Sequence, residues 1–107
     1  MKTGTIKHGS AQAKVSYSQM VAPHLRGKLR EISSLIVDQS ERGHGSATEL
    51  MHILTTQADE SGLTLLVVVE PFDDEPIDGD RLRNWYEKLG FIEIQHLPCV
   101  MARPPRH

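Results

Sequence analysis

Leu63-Thr64-Leu65-Leu66-Val67-Val68-Val69 is an almost unbroken apolar run in a chain of 107 residues. A strand with one wet face alternates apolar and polar side chains. A valine-rich run that does not alternate needs cover on both faces. The segment is therefore expected in the middle of a sheet. Ahead of it, Ala47, Leu50, Met51, Leu54 and Ala58 are spaced i, i+3, i+4, i+7, i+11. That is one stripe of a helix over 46–61, with Gly62 as its stop. Earlier still, Leu29 to Val37 reads as a strand. Simple alternation puts Leu29, Glu31, Ser33, Leu35 and Val37 on one face, and Arg30, Ile32, Ser34 and Ile36 on the other. Strand, loop 38–45, helix and buried strand make a βαβ unit with parallel strands and a right-handed crossover.

The flanks complete an α/β domain. A strand is expected near 11–21, broken by Ala22-Pro23-His24, with a turn at Arg26-Gly27-Lys28. Residues 1–10 read as a frayed start or a short edge strand. After an acidic loop at 71–79, Leu82, Trp85, Tyr86 and Leu89 predict a second helix over 80–89, ended by Gly90. A strand at 91–96, a turn at Pro98, a short strand at 99–102 and a flexible tail at 103–107 follow. At this length a second core would bury too little apolar surface, so one domain is expected.

Charge and composition narrow the function. Residues 1–30 hold six basic residues and no acidic one, whereas residues 31–107 hold six basic and fourteen acidic. The net charge of -2, with no aromatic-rich strand pair, argues against a nucleic-acid binder. No run reaches the roughly eighteen apolar residues of a membrane span. Met1 to His8 has no apolar stretch of a secretory signal. The single Cys99 suits a reducing cytoplasm, and a buried strand position is expected for it. The six histidines have no metal-ligand spacing, and Asp73-Asp74-Glu75 with Asp78 and Asp80 does not match a calcium loop. No metal is expected. That acidic loop is either simply solvated or draws a cationic amine.

Arg42-Gly43-His44-Gly45-Ser46-Ala47 lies between the strand and the first helix. Glycines let the backbone approach a ligand closely. The first helical N–H groups lack intrahelical partners, and their partial positive charge favours a phosphate. Arg42 can add a charge-assisted bond. The spacing fits neither a Walker loop nor G-x-G-x-x-G. On these residues alone the segment is either a pyrophosphate cradle or an ordinary turn opening a helix. In Trp85-Tyr86-Glu87-Lys88-Leu89-Gly90-Phe91, the residues Trp85, Leu89 and Phe91 read as core. Tyr86 is a phenol able to donate a proton.

Together these segments resemble the GNAT superfamily of acyl-CoA-dependent N-acyltransferases. Arg42 to Ala47 fits its R-x-x-G-x-A form of the acyl-CoA signature, and Tyr86 to Phe91 matches its later Y-E-K-L-G-F motif. The resemblance covers roughly residues 28–102. It implies a mixed central sheet with a βαβ core, and acetyl-CoA as co-substrate. It implies that Arg42 and the amides of Gly43, His44, Gly45, Ser46, Ala47 and Thr48 hold the pyrophosphate. The strand ending at Val37 would splay from its neighbour, so that Leu35, Ile36 and Val37 pair with the pantetheine. Tyr86 takes the position of the acid that protonates the departing thiolate. Glu31 takes that of a general base, or else is a solvated strand residue. The acceptor would be a primary amine of open class, attacking directly in a ternary complex.

The sequence departs from the family pattern at Gly79, where an asparagine is common. Only about 28 residues precede the strand at 29–37, too few for the usual strand and two helices that wall the acceptor site. The resemblance then implies an open acceptor site, one completed by a second subunit, or a non-catalytic acyl-CoA or protein-binding module. A homodimer is the expectation, since it would cover an exposed edge or face.

Overall fold

The computed structural model describes residues 3–18, 22–37, 45–69, 79–96 and 99–106. Its elements are β1 (Gly4–His8), β2 (Ala11–Ser16), a 3-10 turn (Pro23–Lys28), β3 (Leu29–Val37), α1 (Ser46–Ser61), β4 (Thr64–Val68), α2 (Gly79–Lys88), β5 (Ile92–Gln95) and β6 (Val100–Arg103). The strands form one sheet in the order β1-β2-β3-β4-β6-β5. Among the described strands only β3 and β4 pair in parallel, as a βαβ unit requires.

Residues opposite one another on neighbouring strands share a face, so the pairing sorts the sheet. One face carries Ala11, Ala13, Val15, Ile32, Leu65, Val67 and Met101. Leu50, Met51, Leu54 and Ala58 of α1 pack there, and so do Leu82, Tyr86 and Leu89 with Phe91. Both α-helices thus cover the same face. The apolar run at 63–69 is buried from both sides. Leu65 and Val67 face the helices, and Leu66, 4% exposed, lies on the opposite face with Val100 and Ala102.

Several boundaries differ from the periodicity reading. The strand expected over 11–21 stops at Ser16, and β1 precedes it as an edge strand. The residues read as a turn at 26–28 belong to the 3-10 turn. Leu35 does not oppose Ile32. Both pack on the helical core, because the β2–β3 register slips between Gln12 and Lys14 and a bulge inserts one extra β3 residue. Cys99 sits half-buried in a turn, just outside the strand.

The tail is anchored rather than free over most of its length. Arg103, in β6, is buried and makes a two-point ion pair with Asp59, Nη1 to Oδ1 at 2.7 Å and Nη2 to Oδ2 at 3.0 Å. Its Nε donates to the Leu89 carbonyl at 2.8 Å, and the Arg106 amide donates to Asp59 at 2.8 Å. One guanidinium therefore ties the C-terminal ends of α1 and α2 to the last strand.

Candidate functional site

The parallel pairing of β3 and β4 runs from Leu29–Thr64 to Ile32–Val67 and stops. β3 continues to Val37, still paired with β2 through Ala11. β4 meanwhile follows β6, with the Val69 amide donating to the Cys99 carbonyl at 2.8 Å. From residue 33 onward the β4-facing edge of β3 has no strand partner among the described residues. The backbone of Leu35, Ile36 and Val37 is in this stretch.

α1 opens at the same end of the sheet. Gly45 adopts φ 86°, a left-handed conformation that a Cβ would strain, and among the described residues no side chain caps the helix. The first helical backbone bond is from the Glu49 amide to the Gly45 carbonyl, at 2.9 Å. The amides of Ser46, Ala47 and Thr48 precede that bond and are left for another acceptor. Arg42, Gly43 and His44, with the rest of the loop at 38–44, lie outside the described residues. So do Asp73, Asp74, Glu75 and Asp78 of the acidic loop, and Pro98.

Tyr86 is 6% exposed and packs between Trp85, with centroids 4.9 Å apart, and Phe91, edge-on at 5.4 Å. Burial pushes its pKa up to about 12, so the phenol keeps its proton. The turn after α2 is held by Gly90 at φ 99°, with the Phe91 amide bonded to the Tyr86 carbonyl. Trp85 is half-buried, and its Nε1 donates to Thr48 Oγ1 at 3.1 Å. The helix carrying Tyr86 is thereby fixed to the first turn of α1.

Glu31 is half-buried on the other face of the sheet, beside Ser16 on β2 and Leu66 on β4. Its pair is one residue before the last β3–β4 pair. Tyr86, in the core beneath the helices, and Glu31 therefore lie on opposite faces of the sheet.

Contacts around the first turn of α1 have no counterpart in the sequence reading. His8 Nε2 meets Glu49 Oε2 at 2.7 Å, and Ser10 Oγ donates to Ser46 Oγ at 3.3 Å. The β1–β2 turn thus packs against this helix start. Among the described residues no group of three His, Cys, Asp or Glu side chains is placed to hold a metal ion. Among these residues no helix is long and apolar enough to cross a membrane.

The acetyltransferase (GNAT) family model matches residues 8–91, which hold both motifs, the opening between β3 and β4, and Tyr86. The chain belongs to the GNAT acetyltransferase family. Solved structures agree on the GNAT fold. The anti-CRISPR protein AcrVA5 superposes with a TM-score of 0.72 at 17% identity, over 95% of this chain and 98% of that one. The ribosomal-protein-S18-alanine N-acetyltransferase of Escherichia coli gives 0.66 at 18% identity, over 92% of this chain and 63% of that one. A GNAT family N-acetyltransferase from Escherichia coli, in complex with CoA, gives 0.61 at 16%, over 88% and 51%. This GNAT chain thus spans nearly all of the first relative and under two thirds of the other two. Among curated proteins, none matches it by sequence.

Proposed function

We propose that the chain transfers an acetyl group from acetyl-CoA to a primary amine by direct attack in a ternary complex. The observation that carries this reading is the opening of β3 from β4 beyond Ile32 and Val67, beside the uncapped first turn of α1. Unpaired strand backbone suits an amide-bearing pantetheine arm, and free helical amides suit a pyrophosphate. Acetyl-CoA supplies an activated acyl group, with a thiolate as its leaving group.

The residues divide the work by position. The backbone of Leu35, Ile36 and Val37 orients the pantetheine arm. Arg42 and the amides from Gly43 to Thr48 hold the phosphates. Glu31 takes a proton from the acceptor ammonium, directly or through water, because an ammonium has no lone pair. Tyr86 donates towards the sulfur as negative charge develops there, from a phenol that burial keeps protonated. Opposite faces suit these roles, since one proton leaves at the incoming nitrogen and another is needed at the departing sulfur.

The core packing of Tyr86 against Trp85 and Phe91 favours one second reading, a module that binds acyl-CoA without turnover. Release of CoA thiol, followed with a chromogenic disulfide over a panel of primary amines, separates the two. Amine-dependent release supports the transferase. Acetyl-CoA binding without release from any amine supports the module.

A further inference from the structure

The face of the sheet opposite both helices changes character across its width. On β4 and β6 it carries the buried Leu66, Val100 and Ala102. On β1 and β2 the pairing Thr5–Lys14 and Lys7–Gln12 puts Thr5, Lys7, Gln12 and Lys14 on that face, and Ser16 and Ser33 join them. Thr5, Lys7 and Lys14 are exposed. Glu31 ends this polar row at the opening between β3 and β4. Among the described residues Lys7, Lys14 and Glu31 make no ion pair, and residues 3–18 include no acidic side chain.

We infer, resting on the transferase reading, that the acceptor is a polypeptide lysine flanked by acidic residues, laid across this row. A small amine is held by a concavity that covers most of its surface. Here, among the described residues, the row next to Glu31 is a strand surface that runs out to the exposed Lys14, Lys7 and Thr5, with both α-helices packed on the other face. Lys14 stands diagonal to Glu31, roughly 7–8 Å away, and Lys7 lies one strand further. An extended peptide advances about 3.3 Å per residue. A lysine over Glu31 therefore brings residues two to four positions away beside Lys14 and Lys7, where carboxylates are favoured. A nucleic acid fits less well. It offers no aliphatic amine, and its phosphates would meet Glu31.

The transfer balances simply. The lysine ammonium gives up two protons, a C–N amide bond forms, and the C–S thioester bond breaks. One proton ends on the CoA thiol and the other in solvent.

The test compares peptides with one lysine flanked at two and three positions by aspartate, serine or arginine, with propylamine as the small acceptor. We expect kcat/KM for the aspartate peptide to exceed that for the arginine peptide at least tenfold, and the preference to fade with added salt. Lys7→Glu with Lys14→Glu should reverse the order, and the two Lys→Gln changes should flatten it. Fluorescence anisotropy of labelled peptides gives the same ranking without turnover. Equal rates for all peptides, propylamine preferred to every peptide, or indifference to the charge reversals overturns the inference and leaves the transferase reading standing. A dimer that shields Lys14 from amine-reactive reagent overturns it as well. Absence of acetyl-CoA binding removes both.

Discussion

Trp85 Nε1 donates to Thr48 Oγ1 across 3.1 Å, joining the helix that carries Tyr86 to the turn whose amides precede the first helical bond. The two sequence motifs are thus coupled by one side-chain bond. Trp85→Phe keeps the ring and removes the donor. Its expected cost is about 1 kcal/mol, a Tm loss of roughly 4–8 °C, and several-fold weaker acetyl-CoA binding. Thr48→Val should cost a similar amount. A double-mutant cycle on urea melts should return a coupling of about 0.5–1.5 kcal/mol. A coupling near zero would mean that the bond carries no energy.

Tyr86→Phe tests the leaving-group role. The expected result is a kcat lower by about 10²-fold or more, with acetyl-CoA affinity retained. Burial raises the phenol pKa to about 12, so its acid form persists through the alkaline range. The rate–pH profile should then show no loss from this group below about pH 11. Unchanged turnover in Tyr86→Phe would remove the assignment.

Arg103 and Asp59 set a pH limit on stability. The paired guanidinium, first by its hydrogen bond, lowers the Asp59 carboxyl from 3.8 to about 2. A carboxylate with a depressed folded-state pKa stabilises above its unfolded value. That stability is lost as pH falls through the folded value, here between about pH 4 and 2. Water still reaches this carboxylate, so its share is ~1–2 kcal/mol, less than the shift alone would give. The stability gap between wild type and Asp59→Asn should narrow by that amount over the window, measured by chemical melts. Arg103→Met should cost about 3 kcal/mol at neutral pH, because Asp59 loses its charge partner and the Leu89 carbonyl loses a donor.

Gly90→Ala should destabilise by roughly 1–2 kcal/mol. Gly90 holds φ 99°, and an added Cβ would meet the Arg106 guanidinium. Thermal melts check the value. A neutral result would mean that the turn relaxes freely.

Local patterns were easy to read. The stripe from Ala47 to Ala58 needs only its own spacing, and α1 begins and ends where it predicts, at Ser46 and Ser61. The bounds of β3 also follow, because a short apolar and β-branched segment sits between turn residues. The facing of Leu35 did not follow, since a bulge depends on how β2 registers against β3. β1 is largely polar and is a strand only because β2 pairs with it. The bonds Trp85–Thr48, Ser10–Ser46 and Arg103–Asp59 join residues 36 to 44 positions apart. No local spacing encodes them. An arginine at an inward position of a short apolar strand is the one signal that could have marked Arg103.

The most direct test is a calorimetric titration of the chain with acetyl-CoA, against desulfo-CoA and ATP. Saturable binding of acetyl-CoA is expected, on the order of micromolar to tens of micromolar, within the usual range for enzyme substrates. Arg42→Glu should weaken it at least tenfold. No saturable heat with acetyl-CoA would mean that the opening between β3 and β4 and the first turn of α1 do not form an acyl-CoA site.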